Sequence, residues 1–61
     1  MTWYQITFLR LLGEFFCPSK YSTLDDAILD AKEALLVDSS IDEVRIYEIS
    51  DVRTLLKKIS R

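Results

Sequence analysis

The first segment of the chain alternates between apolar and polar side chains. This period of two, from Thr2 to Leu9, predicts a half-buried β-strand. Gly13 follows as the expected turn residue, and the aromatic run Glu14–Cys17 should return as a second strand that ends at Pro18, which cannot donate to a strand ladder. The pattern therefore predicts an N-terminal hairpin. Its first strand would carry Tyr4, Ile6 and Phe8 on one side and Trp3, Gln5 and Thr7 on the other.

A helical period replaces the alternation after Tyr21. Ser22 or Thr23 can cap a helix, and Asp25 and Asp26 would lie favourably against the positive end of its dipole. The segment Tyr21–Ala27 is expected to open the helix, which should run to about Leu36. Its apolar stripe consists of Leu24, Ala27, Ile28, Ala31, Ala34 and Leu35.

The last third of the chain predicts one more strand and one more helix. Asp38–Ser40 has the composition of a loop, and Glu43–Ile49 alternates again as a third strand. Ser50 or Asp51 would then cap a short C-terminal amphipathic helix, because the apolar residues that follow recur at i, i+3, i+4 and i+7. These residues are Val52, Leu55, Leu56 and Ile59.

The predicted order is ββαβα, in a single domain of residues 1–61. This order fits an α+β fold in which one main helix packs on one face of a small three-stranded sheet. Unless the C-terminal helix wraps over it, the opposite face would be open to a partner. That face would carry Trp3, Gln5, Thr7, Arg45 and Tyr47.

The composition argues against most catalytic functions. The chain has no histidine, one cysteine and one glycine, so it lacks the usual proton-transfer group, a zinc site and a glycine-rich phosphate loop. We therefore expect no enzyme activity, metal or cofactor. Its apolar runs are far shorter than the roughly 20 residues that a membrane-spanning helix needs, and the first residues lack the basic region of a secretory signal. We expect a cytoplasmic protein without membrane contact.

Charge is unevenly distributed although the formal net charge is only −2. Nine carboxylates and two cations lie between Asp25 and Asp51, whereas every charged side chain after Asp51 is positive. The acidic residues are either a solvated face or an array that imitates nucleic-acid phosphates. The basic end either complements a helix dipole, or contacts an anionic surface or the acidic middle of a second copy. The candidate acidic face consists of Asp25, Asp26, Asp30 and Glu33.

The small size of the chain suggests self-association. A single cysteine cannot form an internal disulfide, so a homodimer would compensate for a thin core. Leu29 and Leu36 lie seven residues apart, away from the main helical stripe, and favour a contact there. The candidate interface residues are Trp3, Leu29, Leu36, Arg45 and Tyr47.

Two segments, Tyr21–Ile28 and Asp42–Ile49, resemble a pattern of short, mostly uncharacterised α+β accessory proteins of phages and mobile elements. The resemblance spans about half of the chain and rests on a helix cap and a strand. It implies a setting in which small acidic proteins inhibit or redirect host proteins, and it carries over no functional residue. We expect a non-catalytic protein-binding module of regulatory or inhibitory function. The alternative is an acidic mimic that blocks a nuclease or another nucleic-acid-binding protein without itself binding nucleic acid.

Overall fold

The computed structural model describes all 61 residues and contains four strands and one helix. The sheet is antiparallel throughout, in the order β2-β1-β3-β4. The helix lies over one face of this sheet, mainly against β1 and β3. The elements are β1 (Trp3–Arg10), β2 (Gly13–Phe16), α1 (Leu24–Val37), β3 (Glu43–Ile49) and β4 (Arg53–Ser60).

The predicted N-terminal hairpin is present. Leu11 and Leu12 form its two-residue loop, and Arg10 pairs with Gly13. Gly13 has a φ of 140°, a backbone conformation that residues with a Cβ atom rarely adopt, which explains a glycine at this point. The hairpin thus places β2 at one edge of the sheet.

The helix begins where its cap was expected. The Thr23 hydroxyl oxygen accepts a hydrogen bond from the backbone N–H of Asp26 at 3.2 Å, which satisfies one donor of the first turn. The buried stripe of α1 consists of Ala27, Ala31 and Leu35. Because two of these residues are alanines, the helix can approach the sheet closely.

The C-terminal segment is a strand, and the predicted second helix and three-stranded sheet were wrong. Residues Arg53–Ser60 form β4, which pairs antiparallel with β3 and completes a four-stranded sheet. The order is therefore ββαββ, still within the α+β class. Ser50 and Asp51 belong to the turn between β3 and β4, where the N–H of Ser50 donates to the Val52 carbonyl at 3.1 Å.

Non-local pairing explains this difference. A helix of about ten residues is marginal in water and depends on tertiary contacts, whereas seven of the eight residues of β4 find partners along β3. The pairing contains an irregularity between Ile46 and Tyr47, opposite Leu56. This extra residue interrupts the alternation along β4, so the segment does not show a clean period of two.

The hydrophobic core lies between α1 and the two central strands. Ile6 and Ile46 face each other across β1 and β3, and both are almost completely buried. Tyr4, Phe8, Tyr21 and Ile59 pack around them. The buried apolar cluster consists of Ile6, Ala27, Ala31, Leu35, Ile41, Val44 and Ile46.

The loop after α1 fastens the helix to the sheet. Arg10, at the end of β1, forms an ion pair with Asp38 at 3.0 Å and donates to the Ser40 hydroxyl at 2.6 Å. Hydrogen bonds from the side chain and backbone of Ser40, together with the Arg10 charge, lower the pKa of Asp38. Arg61 donates to the backbone carbonyls of Asp38 and Ile41. The end of β1 and Arg61 thereby both meet the loop that follows α1.

The single helix α1 has 14 residues, and no helix in this structure is long and apolar enough to span a membrane.

Candidate functional site

The sheet face opposite α1 is not covered by any other element. Residues on this face occupy alternate positions along the strands, as the register shows: Gln5 pairs with Tyr47 and Thr7 pairs with Arg45. Trp3 lies at one end of the same row, opposite Ile49. We call this surface the open face. It consists of Trp3, Gln5, Thr7, Leu9, Glu14, Phe16, Glu43, Arg45, Tyr47, Ile49, Arg53, Leu55 and Lys58.

An arginine and two aromatic rings form the centre of the open face. The guanidinium carbon of Arg53 lies 3.6 Å from the centroid of the Tyr47 ring and 5.5 Å from that of Phe16. The Nε–H of Arg53 also donates to Gln5 Oε1 at 3.2 Å. Tyr47 is consequently only 9% exposed, although no helix covers it. The cluster therefore presents a fixed cation above a packed aromatic base.

A second cation contacts an aromatic ring at the end of β1. The Lys20 ammonium nitrogen lies 4.9 Å from the centroid of the Trp3 ring. Trp3 is half-buried and, with Lys20 and Tyr21, lines an open groove of about 360 Å³. Arg53 and Lys20 give the open face a positive and aromatic character at its centre and at its Trp3 end.

Carboxylates on the same face are already paired. Glu43 accepts from the Nε–H of Arg45 at 2.7 Å, and this hydrogen bond raises the pKa of Arg45. Glu14 accepts from the buried Thr7 hydroxyl at 2.8 Å. Arg45 is therefore engaged within the chain, whereas Arg53 lies over aromatic rings.

The structure separates the predicted interface residues into two groups. Trp3, Arg45 and Tyr47 lie together on the open face, but Leu29 and Leu36 lie on α1, on the other side of the sheet. Leu29 is 65% exposed and Leu36 is 85% exposed. Leu36 lines an open groove of about 520 Å³ between α1 and the end of β4. A single flat interface cannot include both groups.

The candidate acidic residues are also divided. Asp26, Asp30 and Glu33 follow one another at i, i+4 and i+7, and thus lie in one line along the helix surface. Asp25 lies on the opposite flank of α1, four residues before Leu29. The exposed acidic line therefore contains three carboxylates rather than four.

Two members of that line border a shallow groove on the β2 side of the helix. Asp30 and Glu33 line it together with Ile6, Phe8 and Tyr21, and its volume is about 280 Å³. Burial raises the pKa of the Tyr21 hydroxyl, and hydrogen bonds with Asp30 and Cys17 add to the shift. Tyr21 is thus held neutral beside the acidic line.

Cys17 packs against the core. Its Sγ lies 3.8 Å from the Tyr21 hydroxyl, and the residue is half-buried. No group of three or more histidine, cysteine, aspartate or glutamate side chains is placed to hold a metal ion.

Two exposed features were not predicted from the sequence. Arg53 was placed on a predicted helix, so its contact with Tyr47 was not foreseen; reading the segment as a strand would have paired it with Ile49, beside Tyr47. Leu11 and Leu12, at the tip of the hairpin, are 93% and 91% exposed. Two adjacent leucines in a predicted turn, where polar residues are usual, were the available signal.

Comparison with known proteins found no protein-family model, no curated protein and no solved structure that matches this chain.

Proposed function

We propose that this chain is a cytoplasmic, non-catalytic protein-binding module that forms a homodimer and regulates or inhibits a host protein, in the manner of small phage proteins. The observation that supports it is the open face, where Arg53 lies over Tyr47 and beside Phe16 on a sheet that α1 covers on one side only. A solvated face of an antiparallel sheet is commonly polar, whereas this face also carries Trp3, Phe16 and Ile49.

The chemistry of the open face is that of a protein interface. Tryptophan, tyrosine and arginine dominate the energy of protein–protein contacts because they bury large areas and keep polar tips for hydrogen bonding. Arg53 is already fixed by Tyr47 and Gln5, so binding would cost less side-chain entropy than ordering a free arginine. Phe16 is 59% exposed and offers apolar area beside this cation.

Affinity capture from host cells tests the proposal. A tagged wild-type chain should retain a specific host protein, and Trp3→Ala and Phe16→Ala should each lose it. Val37→Ala is the matched control, because Val37 is 77% exposed but lies on α1, away from the open face. Equal capture by all four chains would contradict the assignment of the open face.

One feature favours the alternative function, the nucleic-acid mimic. Asp26, Asp30 and Glu33 form a line of like charges on a rigid helix, and cations dominate the affinity of proteins that bind phosphates. A partner bound there should lose affinity steeply with salt. The double substitution Asp26→Lys and Asp30→Lys should then abolish capture, while Trp3→Ala leaves it unchanged. The open-face proposal predicts the reverse pattern.

A further inference from the structure

The outer edge of β4 has no strand beside it. The Cys17 N–H donates to the Ile6 carbonyl at 3.1 Å, so the backbone N–H and C=O of Ile6 point to the β2 side of β1. Because these groups alternate in direction along a strand, the N–H and C=O of the next residue, Thr7, point toward β3. Thr7 pairs with Arg45, and Arg45 pairs with Lys58. The same alternation directs the backbone N–H and C=O of Lys58 away from β3. Free groups of this kind can pair with another extended chain.

The charge of this edge selects the chemistry of such a chain. Every charged side chain of β4 is a cation, namely Arg53, Lys57 and Lys58, and Arg61 follows directly. A second copy paired through β4 would bring three further cations into the strand pair and no carboxylate. Edge lysines oppose self-pairing in this way. An acidic segment would have the opposite, favourable interaction with the same side chains.

The helix provides cover for a strand added at this edge. The groove of about 520 Å³ beside β4 is lined by Leu35 and Leu36 of α1 and by Ile59 of β4. Lys32 and Arg61 also line it. Leu29 lies seven residues before Leu36, on the same flank of the helix. A fifth strand would extend the sheet beneath this flank, where alternate apolar side chains can enter the groove.

We propose that β4 binds an extended acidic segment of the partner protein as a fifth, edge strand of the sheet. Main-chain hydrogen bonds would supply part of the affinity, and the groove and the cations would determine which sequences bind, as in other cases of strand addition. This inference rests on the proposed protein-binding function, and it names the chemistry of the partner. The added segment would present carboxylates to Arg53 and Lys58 and apolar side chains to Leu36.

A capped eight-residue peptide that alternates glutamate and valine is a suitable probe, because alternation places its carboxylates on one face and its valines on the other. Titrated into the isotope-labelled chain, it should shift the NMR signals of the β4 amides and slow the hydrogen exchange of the Lys58 amide. A peptide with lysine in place of glutamate should leave these signals unchanged. Binding of the acidic peptide should weaken as salt is added.

Two substitutions at one position separate the backbone contribution from the charge. Lys58→Ala and Lys58→Pro both remove the ammonium group, but only proline removes the outward N–H, and edge positions tolerate proline. Lys58→Pro should bind the acidic peptide roughly tenfold more weakly than Lys58→Ala, the size expected for lost backbone hydrogen bonds. Circular dichroism of both variants shows whether the fold is retained. If Lys58→Pro does not fold, the exchange rate of the Lys58 amide in the wild-type chain decides.

Three outcomes would overturn the inference. If the β4 signals do not respond to millimolar acidic peptide, the lysines only protect the edge. If the peptide shifts the signals of Trp3, Phe16 and Tyr47 alone, binding takes place on the open face. If the Lys58 amide is already protected in the concentrated free chain, a second copy occupies the edge. None of these outcomes affects the capture test of the open face, so failures of the two proposals are distinguishable.

Discussion

The Arg53 guanidinium carbon lies 3.6 Å from the centroid of the Tyr47 ring, which joins the edge strand β4 to the central strand β3 on the open face. The same side chain donates to Gln5 on β1 and lies 5.5 Å from the Phe16 ring centroid on β2. One arginine therefore contacts a residue from each of the other three strands. We regard it as the organising residue of this surface.

Removal of Arg53 should destabilise the fold slightly but measurably. Arg53→Ala loses the cation–aromatic contact with Tyr47 and should lower the free energy of unfolding by about 0.5 to 1 kcal/mol, the range for exposed pairs. Lys58→Ala, which removes another cation of β4 that has no ring beneath it, should change that free energy by less than about 0.5 kcal/mol. Urea unfolding followed by Trp3 fluorescence measures both. Equal midpoints for the two variants would show that the stacking has no energetic effect.

The centre of the core should tolerate truncation poorly. Ile6 and Ile46 pair across β1 and β3 and are 1% and 0% exposed. Ile46→Ala should lower the free energy of unfolding by about 2 to 5 kcal/mol, a large share of what a domain of this size possesses. Val37→Ala, at an exposed position of α1 outside the proposed interfaces, serves as the control and should have little effect. Thermal denaturation by circular dichroism would reveal an unfolded or strongly destabilised Ile46→Ala chain.

Local patterns predicted the first three-quarters of the fold because local chemistry determines it. The alternation from Thr2 to Leu9, the cap expected at Ser22 or Thr23 and the strand Glu43–Ile49 all have their cause within a few residues. The C-terminal segment differs, since its state depends on pairing with β3. Its apolar residues fit a helical period as well as a strand that contains a bulge, and only the tertiary partner distinguishes the two.

The open face shows the same limit. The register of two correctly predicted strands was enough to bring Trp3, Arg45 and Tyr47 together. Arg53 was missed because its position follows from β4. Leu29 and Leu36 were grouped with Trp3 by their exposure alone, and exposure does not say on which side of a sheet a residue lies.

The corrected C-terminal strand changes which residue should matter most for stability. On a docked helix, Leu55 and Leu56 would both have been core residues, but they are 41% and 42% exposed on β4. Ile59 pairs with Val44 and packs against the core. Ile59→Ala should therefore lower the thermal midpoint more than Leu55→Ala does. The opposite ranking in a melting experiment would favour a docked helix.

Asp38 should make the stability of the chain depend on pH in the acidic range. Its pKa is lowered in the folded state, mainly by hydrogen bonds from Ser40, and it forms an ion pair with Arg10. A lowered pKa in the folded state means that this stabilisation is complete above the ordinary value of 3.8 and is lost as the pH falls through the folded-state pKa. The wild-type chain should thus exceed Asp38→Asn in stability at neutral pH, and the two melting points should converge in strong acid. A constant difference between them at all pH values would contradict this origin.

Self-association should involve the tip of the hairpin. Leu11 and Leu12 are almost fully exposed, Phe15 beside them is 48% exposed, and all three line an open groove of about 500 Å³. Apolar surface of this kind gains roughly 25 cal/mol for each Å² removed from water, and a second copy is the partner that is always present. Sedimentation equilibrium at micromolar concentration should detect a dimer, and the double substitution Leu11→Ser and Leu12→Ser should convert it to a monomer. Leu29→Ser, the same exchange at an exposed position of α1, should leave the dimer intact. If Leu29→Ser dissociates the dimer instead, the contact lies on the helix, and a wild-type chain that is monomeric at every concentration would refute self-association altogether.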